Sequence, residues 1–117
     1  MKLRHFKADE FDHFDKMDEA FLLLLDEVRE RSGVPMVISS DYRTKKKNRA
    51  VGGSPDSAHL YGYAVDVKVR NSVARMAIIK AALEVGITRI GVADSFVHLD
   101  IADRYLTSKP PNVLWTY

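Results

Sequence analysis

Between Glu10 and Arg31 the apolar residues Phe14, Met17, Phe21, Leu24, Leu25 and Val28 recur three and four positions apart, with charged residues between them. That spacing predicts an amphipathic helix over the whole stretch. Gly33 and Pro35 supply its stop, because glycine takes the left-handed cap position without steric cost and proline cannot continue the ladder. A helix with one apolar face must be buried against a second layer, and the rest of the chain offers strands for one. Met36 to Ser40 is short and β-branched, and Tyr63 to Val69 alternates, with Tyr63, Val65, Val67 and Val69 on one face and Ala64, Asp66 and Lys68 on the other. Ile87 to Val92 and Phe96 to Ile101 read as a hairpin or two sheet strands around Ala93-Asp94-Ser95, and in the second run Phe96, His98 and Asp100 share a face. A further helix is expected from Ser72 to Val85, capped by Asn71 and closed by Gly86, with Val73, Met76, Ile79, Ala82 and Leu83 as its apolar stripe. The tail from Lys109 to Tyr117 is extended by its prolines, and its aromatics are expected to pin it to the domain. Together these signals predict an α+β fold, a small antiparallel sheet with packed helices.

The 117 residues suit one domain spanning 1–117. A content of 46% hydrophobic and 29% charged residues sets the chain apart from disordered sequences. The longest unbroken apolar stretch, Ala20 to Leu25, is far short of the roughly 20 residues of a membrane helix, so no membrane partner is expected. The first ten residues lack the apolar core of a signal peptide. The expectation is synthesis in the cytoplasm, with any extracytoplasmic action following lysis or export by another route. Lys45, Lys46, Lys47 and Arg49 form a basic cluster, but with a net charge of only +2 it reads as a solvated helix face, and the expectation is a monomer without a nucleic-acid partner.

The absence of cysteine removes disulfide frameworks, thiolate zinc fingers and cysteine nucleophiles, so a metal would have to be held by His, Asp or Glu. Arg43 to Ala64, punctuated by Gly52-Gly53, Ser54-Pro55 and Gly62, reads as irregular, and long irregular connections in small domains are usually functional. It carries His59, with Asp66 following on the next strand and His98 on a later one. Two imidazoles and one carboxylate suit a catalytic zinc, which takes three protein ligands and leaves a fourth position open. A mononuclear iron site uses the same donors, and His98-Leu99-Asp100 has its H-x-D spacing; no His follows position 98, which argues against it. His5 and His13 fall outside the pattern and read as ordinary polar residues.

Ser57-Ala58-His59-Leu60-Tyr61-Gly62-Tyr63-Ala64-Val65-Asp66 fits S-x-H-x-x-G-x-A-x-D, and in this it resembles the zinc D-Ala-D-Ala carboxypeptidases and related murein peptidases, which share the hedgehog signalling-domain fold. Ser40-Asp41-Tyr42-Arg43, Asn48 to Gly53 and Phe96-Val97-His98-Leu99-Asp100 are similar to further blocks of that family. The leading helix and Trp-Thr-Tyr tail are similar to its short, phage-type, endolysin-like members. The resemblance implies a zinc ion (Zn2+) on His59, Asp66 and His98, with Arg43 facing the substrate and Ser57 serving either as a donor behind the site or as a turn residue. It implies metal-activated hydrolysis of a peptide bond in the peptidoglycan stem, of D-Ala-D-Ala carboxypeptidase or L-Ala-D-Glu endopeptidase type. Members carry a Glu three positions before the last zinc His, where this chain has Ser95. Asp94 is therefore expected as general base and Asp100 as the group that orients a ligand imidazole. The missing Glu also leaves a second expectation, a zinc-stabilised binding or structural module of the same fold without peptidase activity.

Overall fold

Asp18 decides where the long helix begins. Its carboxylate accepts the Phe21 amide at 3.0 Å, and α1 runs over Glu19–Ser32, closed by Gly33 in the left-handed conformation at φ 65°. These and the following elements belong to a computed structural model that describes residues 2–117; Met1 lies outside the described residues. The apolar stripe before Asp18 is not helical, contrary to the period reading. Two short 3-10 turns, Ala8–Glu10 and Phe14–Lys16, stand there instead. Phe6, Phe11 and Phe14 pack ring to ring at 5.3 and 5.5 Å, which gives this stretch its own way to bury apolar surface.

Five strands follow, β1 (Val37–Ser40), β2 (Ala64–Lys68), β3 (Arg89–Val92), β4 (Phe96–Asp100) and β5 (Val113–Thr116), in the order β1-β2-β4-β3-β5. The first four pair antiparallel, and β5 pairs parallel with β3. The tail is thus a strand, pinned by a sheet ladder as well as by its aromatics. Between β1 and β2 the register slips, Ile38 facing Val67 and Ser40 facing Asp66, so Ser39 is an extra residue that bends β1. Asn71 caps α3 (Ser72–Glu84) by accepting the amides of Val73 and Ala74. The segment read as irregular holds a short helix, α2 (Lys45–Ala50), capped by Thr44, with its lysines exposed.

Phe21, Leu22, Leu25 and Val28 of α1, Ile78, Ala81 and Ala82 of α3, and Val65, Val67, Val97 and Leu99 of the sheet form one buried cluster, so both helices cover the same face. The stripe expected on α3 is split: Ala82 and Ile79 join the core, whereas Val73 is 80% exposed, Met76 64% and Leu83 54%. Apolar residues nearly encircle this helix, and packing on α1 selects which of them are buried. Among the described residues no helix is long and apolar enough to cross a membrane.

Candidate metal centre

Alternation along β2 and β4 turns Asp66, His98 and Asp100 away from the helices. Asp66 and His98 face each other across the two strands, as do Ala64 and Asp100. His59 arrives from outside the sheet, on the 3-10 turn Ala58–Tyr61. Ser57 caps that turn, its Oγ accepting the His59 amide at 3.2 Å, and it also lines the cleft. Gly62 ends the turn at φ 74°, where a Cβ would stand 2.3 Å from the Lys16 carbonyl oxygen. Only glycine meets both demands, a left-handed backbone and close approach to the N-terminal segment.

His59, Asp66 and His98 are all buried, and one ligand atom from each lies within 4.8 Å of the others. Asp66 Oδ1 is 3.4 Å from His59 Nε2 and 3.1 Å from His98 Nδ1. Donors at about 2.0–2.1 Å from a tetrahedral zinc lie about 3.3 Å from one another, so these spacings fit such an ion. The partners behind the rings fit as well. His59 Nδ1 lies 2.7 Å from the Asp41 carbonyl oxygen, which can only accept, so Nδ1 carries the proton and Nε2 keeps its lone pair. His98 Nε2 lies 2.6 Å from Asp100 Oδ2 and donates to it, which leaves Nδ1 for the cradle. Asp100 Oδ1 in turn accepts from Arg89 Nε at 2.7 Å and the Ala102 amide at 2.9 Å. Three lone pairs then converge, an arrangement that repels unless a cation lies among them. Without a cation, protons held on the imidazoles relieve the same repulsion. Burial works against the Asp66 charge, yet the hydrogen bonds and charges of His59 and His98 prevail and hold its carboxyl well below the usual range. Burial likewise works against Asp100, and His98, the Ala102 amide and Arg89 outweigh it and lower its pKa. For His98 burial would lower the pKa, but Asp100 and Asp66 raise it.

The cradle opens into a cleft of about 490 Å³. Arg43, Ser54 and Ser57 line one part of it, and Phe96, Trp115 and Tyr117 another. Arg43 Nη2 is 3.4 Å from Asp66 Oδ2. Asp94 is not brought to this cluster: it is exposed on the β3–β4 turn and lines a separate depression with Arg75 and Thr116. Two supporting residues escaped the sequence reading. Arg89 carries a signal that could have been used, a charge inside the apolar run Ile87 to Val92. Asp41 carries none, because it acts through a backbone carbonyl. His13 is also more than a surface residue, since its amide and Nδ1 both hold the buried Asp41 carboxylate at 3.2 Å.

The domain therefore presents, at the mouth of a cleft, a buried His-Asp-His group that could hold a metal ion. The profile of the family described as Peptidase M15 matches residues 5–100, most of the chain, and the protein belongs to that family. No curated protein matches the chain.

Proposed function

We propose that the protein is a zinc peptidase that hydrolyses a peptide bond in the stem peptide of peptidoglycan, acting as a monomer on the cell wall. The observation that carries the reading is the convergence of His59 Nε2, Asp66 Oδ1 and His98 Nδ1 in a family of peptidases. These three residues would hold the metal. Bound zinc supplies Lewis acidity, which activates water as a nucleophile and polarises a carbonyl. Arg43 stands beside the cradle with a planar guanidinium suited to a substrate carboxylate, or to the oxygen that gains charge when the peptide carbonyl is attacked. Asp100, fixed by Arg89 and the Ala102 amide, accepts a hydrogen bond from His98 Nε2 and keeps Nδ1 turned inward. Ser57 fixes the turn that presents His59.

Asp94 is given no part in the proton transfer. It sits on the bend before β4, which begins at Phe96, and lines a depression other than the cleft. Among the described residues Asp66 and Asp100 are the carboxylates that line the cleft; the first is engaged by the cradle and Arg43 and the second by His98 and Arg89, which leaves solvent as the proton acceptor on offer. This scarcity of carboxylates favours the second reading, a zinc-stabilised binding module. Digestion of purified peptidoglycan by the zinc-loaded protein, with fragments identified by mass, separates the two. New stem-peptide ends that disappear with chelator support the peptidase and name the bond; fully zinc-loaded protein that releases nothing leaves the binding module.

A further inference from the structure

Three residues stand in a row across the sheet, in the register that holds the cradle. His98 of β4 is opposite Gly91 of β3, and Gly91 is opposite Trp115 of β5. Residues opposite one another on neighbouring strands share a face, and the middle member of this row has no side chain. A Cβ at Gly91 would stand 2.5 Å from Trp115 Nε1, 2.6 Å from Cε2 and 2.9 Å from Cζ2. The indole therefore lies directly over the glycine and reaches the next strand, where its ring centre is 5.2 Å from that of His98. Arg89, which anchors Asp100 behind His98, has its guanidinium carbon 5.6 Å from the same indole and donates through Nη1 to the Pro110 carbonyl at 2.7 Å. Trp115 thus packs on the ligand ring and on the arginine that holds the ligand's partner.

We propose that Trp115, seated over Gly91, is a positioning residue of the metal centre that keeps the His98 ring turned with Nδ1 toward Asp66, which makes β5 a working part of that centre. The inference rests on the cradle being a metal site and is independent of which substrate is cut. The segment matched by the family ends at residue 100, so this support comes from a part of the chain outside the match.

Trp115 is the only tryptophan in the sequence, so intrinsic fluorescence reports on this position alone. Cobalt(II) titrated into the metal-free full chain should quench the emission in step with growth of the cobalt visible bands. Gly91→Ala should weaken cobalt binding by about tenfold and alter the bands, the scale of a lost supporting partner. Trp115→Ala should do the same, Trp115→Phe should recover part of the loss, and Gly91→Ala should add nothing in the Trp115→Ala background. Circular dichroism checks that each variant is folded; if Gly91→Ala is not, the two Trp115 variants decide. One equivalent of cobalt bound with wild-type affinity and bands in both Trp115→Ala and Trp115→Phe overturns the proposal while leaving the metal centre standing. A wild-type chain that takes up no cobalt or zinc overturns both.

Discussion

Along β2 and β4 the same backbone serves two faces under opposite rules. Val65, Val67, Val97 and Leu99 are completely buried beneath α1 and α3, where only volume and fit matter. Asp66, His98 and Asp100 alternate with them and are nearly as buried, yet each carries charge or hydrogen-bonding capacity that needs a partner. The helix-facing side is stabilised by removing apolar area from water. The cleft side costs desolvation, which in the metal-free chain is offset by partners running from Arg89 through Asp100 and a doubly protonated His98 to Asp66, and which a bound cation among the three donors would offset in its place. One face therefore stores stability and the other stores chemistry, and substitutions should separate the two.

The largest effect is expected at the cleft face. Asp66→Ala should abolish stoichiometric zinc binding and bring hydrolysis to background while the helical circular dichroism persists; zinc uptake equal to wild type would erase the distinction between the faces. Next comes the helix side. Leu99→Ala removes a fully buried side chain and should cost about 2–5 kcal/mol in chemical denaturation, with one zinc still bound by whatever fraction is folded. Asp100→Asn should weaken zinc by about 10- to 100-fold with a smaller change in stability, since it touches the metal only through His98.

The smallest effect calibrates both faces from a region outside them. Glu10 accepts from Arg29 Nη1 and from the Lys7 amide, each at 2.8 Å, and although burial works against its charge these partners lower its pKa. A carboxyl whose folded pKa lies below its unfolded value contributes stability above the unfolded value and loses it as pH falls through the folded one. Glu10→Gln should therefore cost about 0.5 kcal/mol near neutral pH, discounted for partial exposure, and nothing in strong acid. Equal loss at both ends of the pH range would mean that packing, and not charge, holds that corner.

What could be read from the sequence was what local chemistry dictates. The alternation of Tyr63 to Val69 located β2 and aimed Asp66 away from the core, and Asn71 and Gly33 marked helix ends because capping depends on neighbours within a few residues. Features set by distant partners were not legible. The start at Asp18 follows the same local capping rule, although the apolar stripe runs past it, whereas α3, apolar on most sides, could not reveal which side meets α1. The parallel pairing of β5 with β3 joins segments more than twenty residues apart and leaves no period in the tail. The same division runs through the site. His59, Asp66 and His98 could be named from donor type and spacing, whereas the Asp41 carbonyl and Trp115 act through geometry that only the folded chain provides.

The central claim is that the cleft face of the sheet is a metal centre built from three residues. Crystals grown with one equivalent of zinc and measured on both sides of the zinc absorption edge locate the ion directly. The expected result is a single anomalous peak bounded by His59 Nε2, Asp66 and His98 Nδ1, with His98 Nε2 still on Asp100. A peak elsewhere at full occupancy, or one that leaves any of the three side chains turned away from the ion, would contradict it.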